Sequence, residues 1–218
     1  MSRPPLSRRR VVEAAARVAD ASGLAGVSMR TVGRELGVEA MSLYHHVAGK
    51  EALLDGLTDW VFEQVALPTA GEPWRTEMEA RARSAREVLS AHPWGLGLIE
   101  SRRSPGPATL GQHDAVIGCL RAAGFSVQLA AHAFSVLDAY VYGFVLTEVN
   151  LPFEPGESTE DFVDALGGVL DAYPHLAEMV TEQVAGQDYA YGDEFDYGLA
   201  LVLDGLEARV TDGLRGRS

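Results

Sequence analysis

Gly37 stands between two short segments whose apolar residues return every third or fourth position: Val32 and Leu36 before it, Val38, Leu43 and Val47 after it. A period of 3.6 puts the members of each set on one helical face. Two helices so patterned, joined at a single glycine, bury both faces only by crossing steeply. The crossing needs a turn with a left-handed backbone, which glycine adopts without steric cost. The pattern is a helix-turn-helix. A second helix is expected over "SMRTVGREL", capped by Ser28, and a third over "EAMSLYHHV".

The remaining segments also read as helices. The first runs from about Ser7 to Ser22 and stops at Gly23, and the fourth runs from near Gly49 to about Ala66. "LPTAGEP" is a Pro/Gly linker, so a boundary is expected between residues 1–66 and 67–218. Beyond it, "WRTEMEARARSAREVLSAH", the short "PWGLGLIE", "TLGQHDAVIGCLRAAG" and a long segment after Ser126 all have helical spacing. "TEDFVDALGGVLDAY", "PHLAEMVTEQVA" and "DEFDYGLALVLDGLEARVTDGL" follow an acidic loop, "NLPFEPGES". The fold class is all-α: an N-terminal three-helix helix-turn-helix domain joined to a larger helical domain.

The net charge of −13 argues at first against a polyanionic partner, but its distribution reverses that reading. Residues 1–50 carry eight Lys/Arg and four acids, a net +4, while residues 51–218 carry −17. A basic head on an acidic body orients itself toward phosphate. Within the head, Ala40, Met41 and Ser42 at the start of the third helix let a backbone sit deep in a major groove. Tyr44, His45, His46 and Lys50 flank that face within reach of phosphates. Arg8, Arg9 and Arg10 read equally well as a flexible arm for the minor groove or as a solvated tail. His45 and His46 are not a metal pair, since adjacent helical residues point about 100° apart.

The run "SMRTVGRELGVEAMSLYHHVAGKEALLDGL" resembles the signature of the tetracycline-repressor (TetR) family, and the likeness covers about residues 6–66. "AAGFSVQLAAHAFSVLDAYVYGFVLTEV" and "FDYGLALVLDGLEARV" are similar to the family's eighth and last helices. The resemblance implies a homodimeric repressor that binds double-stranded operator DNA and is released by a small-molecule inducer. Arg30 then matches an arginine that reads a guanine edge. Ser28, Tyr44, His46 and Lys50 match phosphate-contacting positions, and Glu39, Ala40, Met41 and Ser42 match base-facing ones. Rough alignment places Arg81, Trp94, Arg102, His113, Phe134, Asp138, Tyr142 and Glu148 at the ligand pocket. The long helix after Ser126 is apolar nearly all round, and the last carries an apolar stripe of Phe195, Leu199, Val202, Leu203 and Leu206. By resemblance the two form a four-helix bundle with their copies across a two-fold axis. The position matching the family's magnesium-binding histidine falls near Ile99 or Glu100, so magnesium–tetracycline is not expected as the inducer, and no cofactor is expected.

No Gly-rich phosphate loop, G-x-S-x-G, H-E-x-x-H or paired cysteines occur, which argues against an enzyme. The sequence leaves open an activator, or a regulator that binds DNA only with its ligand. The single cysteine, Cys119, reads as a buried thiol. The start has basic residues but no apolar core of a leader, and the apolar stretch from Ala130 to Leu146 is short and interrupted by His132, Ser135 and Asp138. A cytoplasmic protein without a membrane partner is expected.

Overall fold

Ser7 opens the first helix by accepting the Arg10 N–H on its hydroxyl at 3.3 Å. This computed structural model describes residues 5–101, 104–151, 167–184 and 190–215, and among them no residue forms a β-strand. Helix α1 spans Arg8–Gly26, with Gly23 leaving helical geometry (φ 65) where the sequence predicts the stop. Arg8, Arg9 and Arg10 are its first turn, not an arm or a tail: Arg9 pairs with Glu13 at 2.8 Å, and Arg10 donates to the Pro5 carbonyl at 2.7 Å.

Helix α2 (Met29–Leu36) starts with a capping box, in which Ser28 and Thr31 each satisfy the other's backbone N–H. It ends at Gly37 in the left-handed region, φ 63 and ψ 40. Helix α3 is Ala40–Leu43, shorter than the expected nine residues. The amides of His46 and Val47 both close on the Leu43 carbonyl at 2.9 Å, which winds the chain into a turn and buries Val47. Helix α4 (Lys50–Phe62) follows. Val11, Ala15, Val32, Leu36, Leu43, Leu53 and Leu57 form the centre of the head's core.

The body contains α5 (Trp74–Ala91), α6 (Trp94–Ser101), α7 (Pro107–Ala122) and α8 (Val127–Glu148). Residues Gly167–Ala172 form a 3-10 turn rather than the expected α-helix, whose earlier part lies outside the described residues together with most of the acidic loop. Helix α9 (Pro174–Met179) runs into a π turn at Val180–Val184, and α10 (Glu194–Arg215) closes the fold. Phe125, Leu137, Val141, Phe195, Leu199 and Leu203 centre the body's core, beside the buried Cys119, whose thiol burial pushes above its ordinary range. Helix α8 is longer than the apolar stretch read in the sequence, and by length and composition it could cross a membrane. One side of it packs on α5, α7 and α10.

The two cores do not part at the linker. Leu53 and Leu57 of α4 enter the head core, Val61 and Val65 enter the body core, and Leu98 of α6 enters the head core. Helix α4 is therefore a shared beam.

Candidate DNA interface and ligand cavity

The crossing of α2 and α3 depends on a residue that sequence reasoning missed. A Cβ on Gly33 would meet the Val38 carbonyl at 2.9 Å and the Ala40 Cα at 3.3 Å. The clue was a residue without a side chain one turn before Gly37. Close approach here turns one face of the pair outward. Met41 is 71% exposed and Tyr44 49%, with Arg30, Glu39, His45 and Lys50 also exposed. Ala40, Ser42 and His46 are half-buried beside them, and the Ser28 hydroxyl is taken up by the α2 cap. The ten residues marked in the head thus lie on α2, α3, the turns beside them and the first residue of α4, and none is sealed in the core.

Where head meets body, Asp20 of α1 accepts the Trp94 indole N–H at 2.6 Å, and the same oxygen lies 2.7 Å from His92 Nδ1. Trp60 of α4 stacks on Trp94, with centroids 6.1 Å apart, and meets His92 edge-on. Trp94 is therefore a joint residue and does not line the cavity expected for it.

That cavity, of about 440 Å³, lies between α4, α6, α7 and α8. Thr58 and Phe62 of α4, Ile99 of α6, Thr109 and His113 of α7, and Phe134, Ser135, Asp138, Ala139 and Tyr142 of α8 form its walls with Pro105. Four sequence candidates meet there: His113, Phe134, Asp138 and Tyr142. Arg81 is 3% exposed and stands behind the wall, paired with Asp138 at 2.8 Å. Tyr142 donates its hydroxyl to the other Asp138 oxygen at 3.2 Å. Glu148 lies elsewhere. It pairs with Arg86, whose guanidinium covers the Phe195 ring and is held above its usual range by that hydrogen bond. Arg102 lies outside the described residues. The α4 and α6 walls were missed because nothing local in the sequence says which side of those helices faces α8.

His113 sits edge-on to Phe134 at 4.8 Å and to Phe62 at 6.0 Å. Burial lowers its pKa below 6.5, with Asp138 partly offsetting and Arg81 adding to the effect. The ring is neutral at pH 7 and offers one donor and one acceptor. Ile99, one of the two positions read near the family's magnesium-binding histidine, presents only hydrocarbon to the cavity. Among the described residues no three His, Cys, Asp or Glu side chains gather as a metal site. The arrangement suits a largely apolar, aromatic guest with a few polar groups.

Residues 11–57 match the bacterial regulatory proteins of the TetR family, and residues 67–210 match the tetracyclin repressor-like C-terminal domain. The HTH-type transcriptional repressor DrrR1 of Streptomyces coeruleorubidus is 36% identical over 227 residues, spanning 99% of this chain and 82% of DrrR1. The tetracycline repressor protein class A from transposon 1721 of Escherichia coli is 30% identical over 203 residues, 91% of this chain and 89% of its own. Apo ActR from Streptomyces coelicolor aligns with a TM-score of 0.78 at 25% identity, covering 97% of this chain and 100% of ActR. ActR in complex with actinorhodin aligns at 0.75 and 26%, covering 95% and 99%. This chain belongs to the TetR family. It is a DNA-binding transcriptional regulator with an N-terminal helix-turn-helix and a helical C-terminal domain.

In this TetR-family regulator the apolar stripe expected at a dimer interface belongs mostly to the protomer's own core. Phe195, Leu199, Leu203 and Leu206 are buried and Val202 is half-buried. A helix with two apolar faces cannot be resolved by periodicity alone, and the inner face was the one read. The outer face of α10 exposes Tyr197 and Leu201, and that of α8 exposes Val136 and Leu146. A groove between the two helices is lined by Leu129, Val136, Leu201 and Leu206.

Proposed function

We propose that this protein is a homodimeric repressor whose two heads read a palindromic operator and release it when a small molecule fills the cavity between α4 and α8. The observation that carries this reading is the position of α4. Its Leu53 and Leu57 are fixed in the head core while its Thr58 and Phe62 form the cavity wall. A guest that pushes on that wall moves the head. ActR in complex with actinorhodin supports a small-molecule guest, and DrrR1 supports repression as the outcome.

The outward faces of α8 and α10, with Val136, Leu146, Tyr197 and Leu201, are the surface for a second copy. Two heads held about 34–36 Å apart meet successive major grooves on one side of a duplex. Arg30 and the α3 residues Ala40, Met41 and Ser42 face the bases, while Tyr44, His46 and Lys50 hold phosphates. A guest neutral overall fits best, because Arg81 already compensates Asp138, the one carboxylate on the wall among the described residues. Its walls suit a flat aromatic molecule bearing hydroxyl or carbonyl groups. The protein acts where its operator is, in the cytoplasm.

Selection from a random duplex pool tests the reading. It should enrich two spaced half-sites related by a two-fold axis, bound with a salt slope of about −0.9 per phosphate neutralised. Actinorhodin and other flat aromatic molecules bearing hydroxyl or carbonyl groups are then screened for release of the selected duplex. By linkage, any releasing molecule must bind more weakly to the DNA complex. Enrichment of no sequence by the folded dimer sinks the proposal. Tight, magnesium-dependent tetracycline binding in calorimetry would overturn the account of the cavity.

A further inference from the structure

Helix α7 begins without a capping side chain of its own. Its N-cap is Gly106, its first residue is Pro107, and no local side chain accepts from the free amides of the first turn. The cap comes from another helix. Asp59 of α4, itself buried, accepts the Thr109 N–H at 2.9 Å and the Thr109 hydroxyl at 3.0 Å on one carboxylate oxygen. A side chain on Gly106 would fall on that carboxylate, so the missing Cβ is what admits Asp59. An anion at this end also meets the positive pole of α7.

The exchange is returned three residues later. Gln112 of α7 donates its amide to the carbonyl of Phe62 at 3.1 Å, at the end of α4, where the Val65 N–H also closes, and to the carbonyl of Val65 at 2.6 Å, just beyond it. Its own Oε1 is buried without a partner, so the side chain is held by donation alone. Each helix therefore caps the other. The cavity uses the same two helices, through Thr58 and Phe62 on one and Thr109 and His113 on the other. A cleft of about 240 Å³ between α1 and α4 is lined by Val12, Gly56 and Trp60 and by Asp59 itself.

We infer that Asp59 and Gln112 form a reciprocal clamp that makes α4 and α7 turn as one body, so that events at the cavity and at the heads are felt through it. This rests on the ligand-release reading above. Asp59 is a positioning residue: it touches neither bases nor the guest.

Hydrogen–deuterium exchange of the full-length protein, free and with the selected operator duplex, tests the clamp. In the unaltered protein the duplex protects α2 and α3 and also changes exchange in the first two turns of α7. In Asp59→Ala the head protection remains and the α7 response disappears. Exchange at the start of α7 rises on the order of fivefold in that variant, as loss of one cap implies. Asp59→Asn keeps an acceptor in the same place and restores the response. Gly106→Ala expels the carboxylate with Asp59 intact and behaves as Asp59→Ala, which guards against a folding defect in the first variant. An α7 response that persists in both Asp59→Ala and Gly106→Ala, or that is absent from the unaltered protein, overturns the clamp alone. An α2–α3 face that no duplex protects overturns the clamp together with the DNA reading.

Discussion

The head and the body are both helical, yet they hold their shape by different means. The head is a local device: its caps, its turn glycine and its crossing are set by residues within about one turn of each other, as in the Ser28–Thr31 box and the Gly33–Gly37 pair. The body adds to its apolar core polar pairs between residues far apart in the chain. Arg81 and Asp138 are 57 positions apart in sequence, and Arg86 and Glu148 are 62 apart. A surface for reading DNA must repeat one geometry, which local rules secure. A cavity for a varied guest is assembled from the sides of several helices.

The contrast predicts its largest effect in the body. Arg81→Leu leaves the Asp138 carboxylate buried without its partner and should cost about 3–5 kcal/mol of stability. Changing Asp138→Leu as well should recover most of that loss, because a buried ion pair and a well-packed apolar pair are close in energy. Urea unfolding of the two variants measures both. A single variant as stable as the parent would mean that solvent reaches the pair and that the body is held by packing alone.

In the head the expected effects fall on binding rather than on folding. Arg30 is exposed and packs in neither core. Arg30→Ala should therefore leave the melting temperature unchanged while removing about 1–3 kcal/mol of discrimination at one base pair of each half-site. Affinities for duplexes altered at single positions give the number. A uniform loss across all duplexes would reassign Arg30 to a phosphate.

How much the sequence discloses follows the same division. Helix α2, its Ser28 cap and the Gly37 turn were legible because each is a rule about neighbours. The start of α8 after Ser126 was legible for the same reason, and Gly23 was legible as a break, though it kinks α1 three residues before its end rather than stopping it. The length of α3 was not, because it ends where Val47 is pulled into the core. In the cavity, His113, Phe134, Asp138 and Tyr142 came from likeness to a family, Ile99 was read only as one match for a metal-binding position, and Thr58, Phe62 and Thr109 were missed. Their roles depend on which side of α4, α6 and α7 turns toward α8, and residues far apart in the chain decide that. The stripe on α10 failed in the opposite way. Both its faces are apolar, and only the packing of α8 tells the inner residues Leu199 and Leu203 from the outer Leu201.

A smaller effect tests the turn itself. Gly37→Ala puts a side chain at φ 63, which costs about 1–2 kcal/mol. The loss should appear as reduced protection of α2 and α3 in hydrogen exchange, with the α5–α8–α10 core unchanged. If both regions loosen together, the joint of Asp20, Trp60, Trp94 and Leu98 makes head and body one cooperative unit, and the contrast between them is structural but not energetic.

The smallest effect is a pH dependence confined to the body. His113 has its pKa lowered from 6.5 by burial in the native state, while the unfolded chain titrates near the ordinary value. As pH falls below about 6.5 the unfolded chain takes up a proton that the native cavity refuses, so stability drops until the native pKa is passed. One such group contributes a slope of at most about 1.4 kcal/mol per pH unit. His113→Phe removes it and keeps an aromatic ring against Phe134. The parent's unfolding free energy should therefore fall relative to the variant's between pH 7 and pH 5, and the gap isolates this histidine from the exposed His45 on the head. Parallel pH profiles would show that the Asp138 charge holds the imidazole at its ordinary pKa despite burial, and that the cavity wall presents a cation to its guest in mild acid.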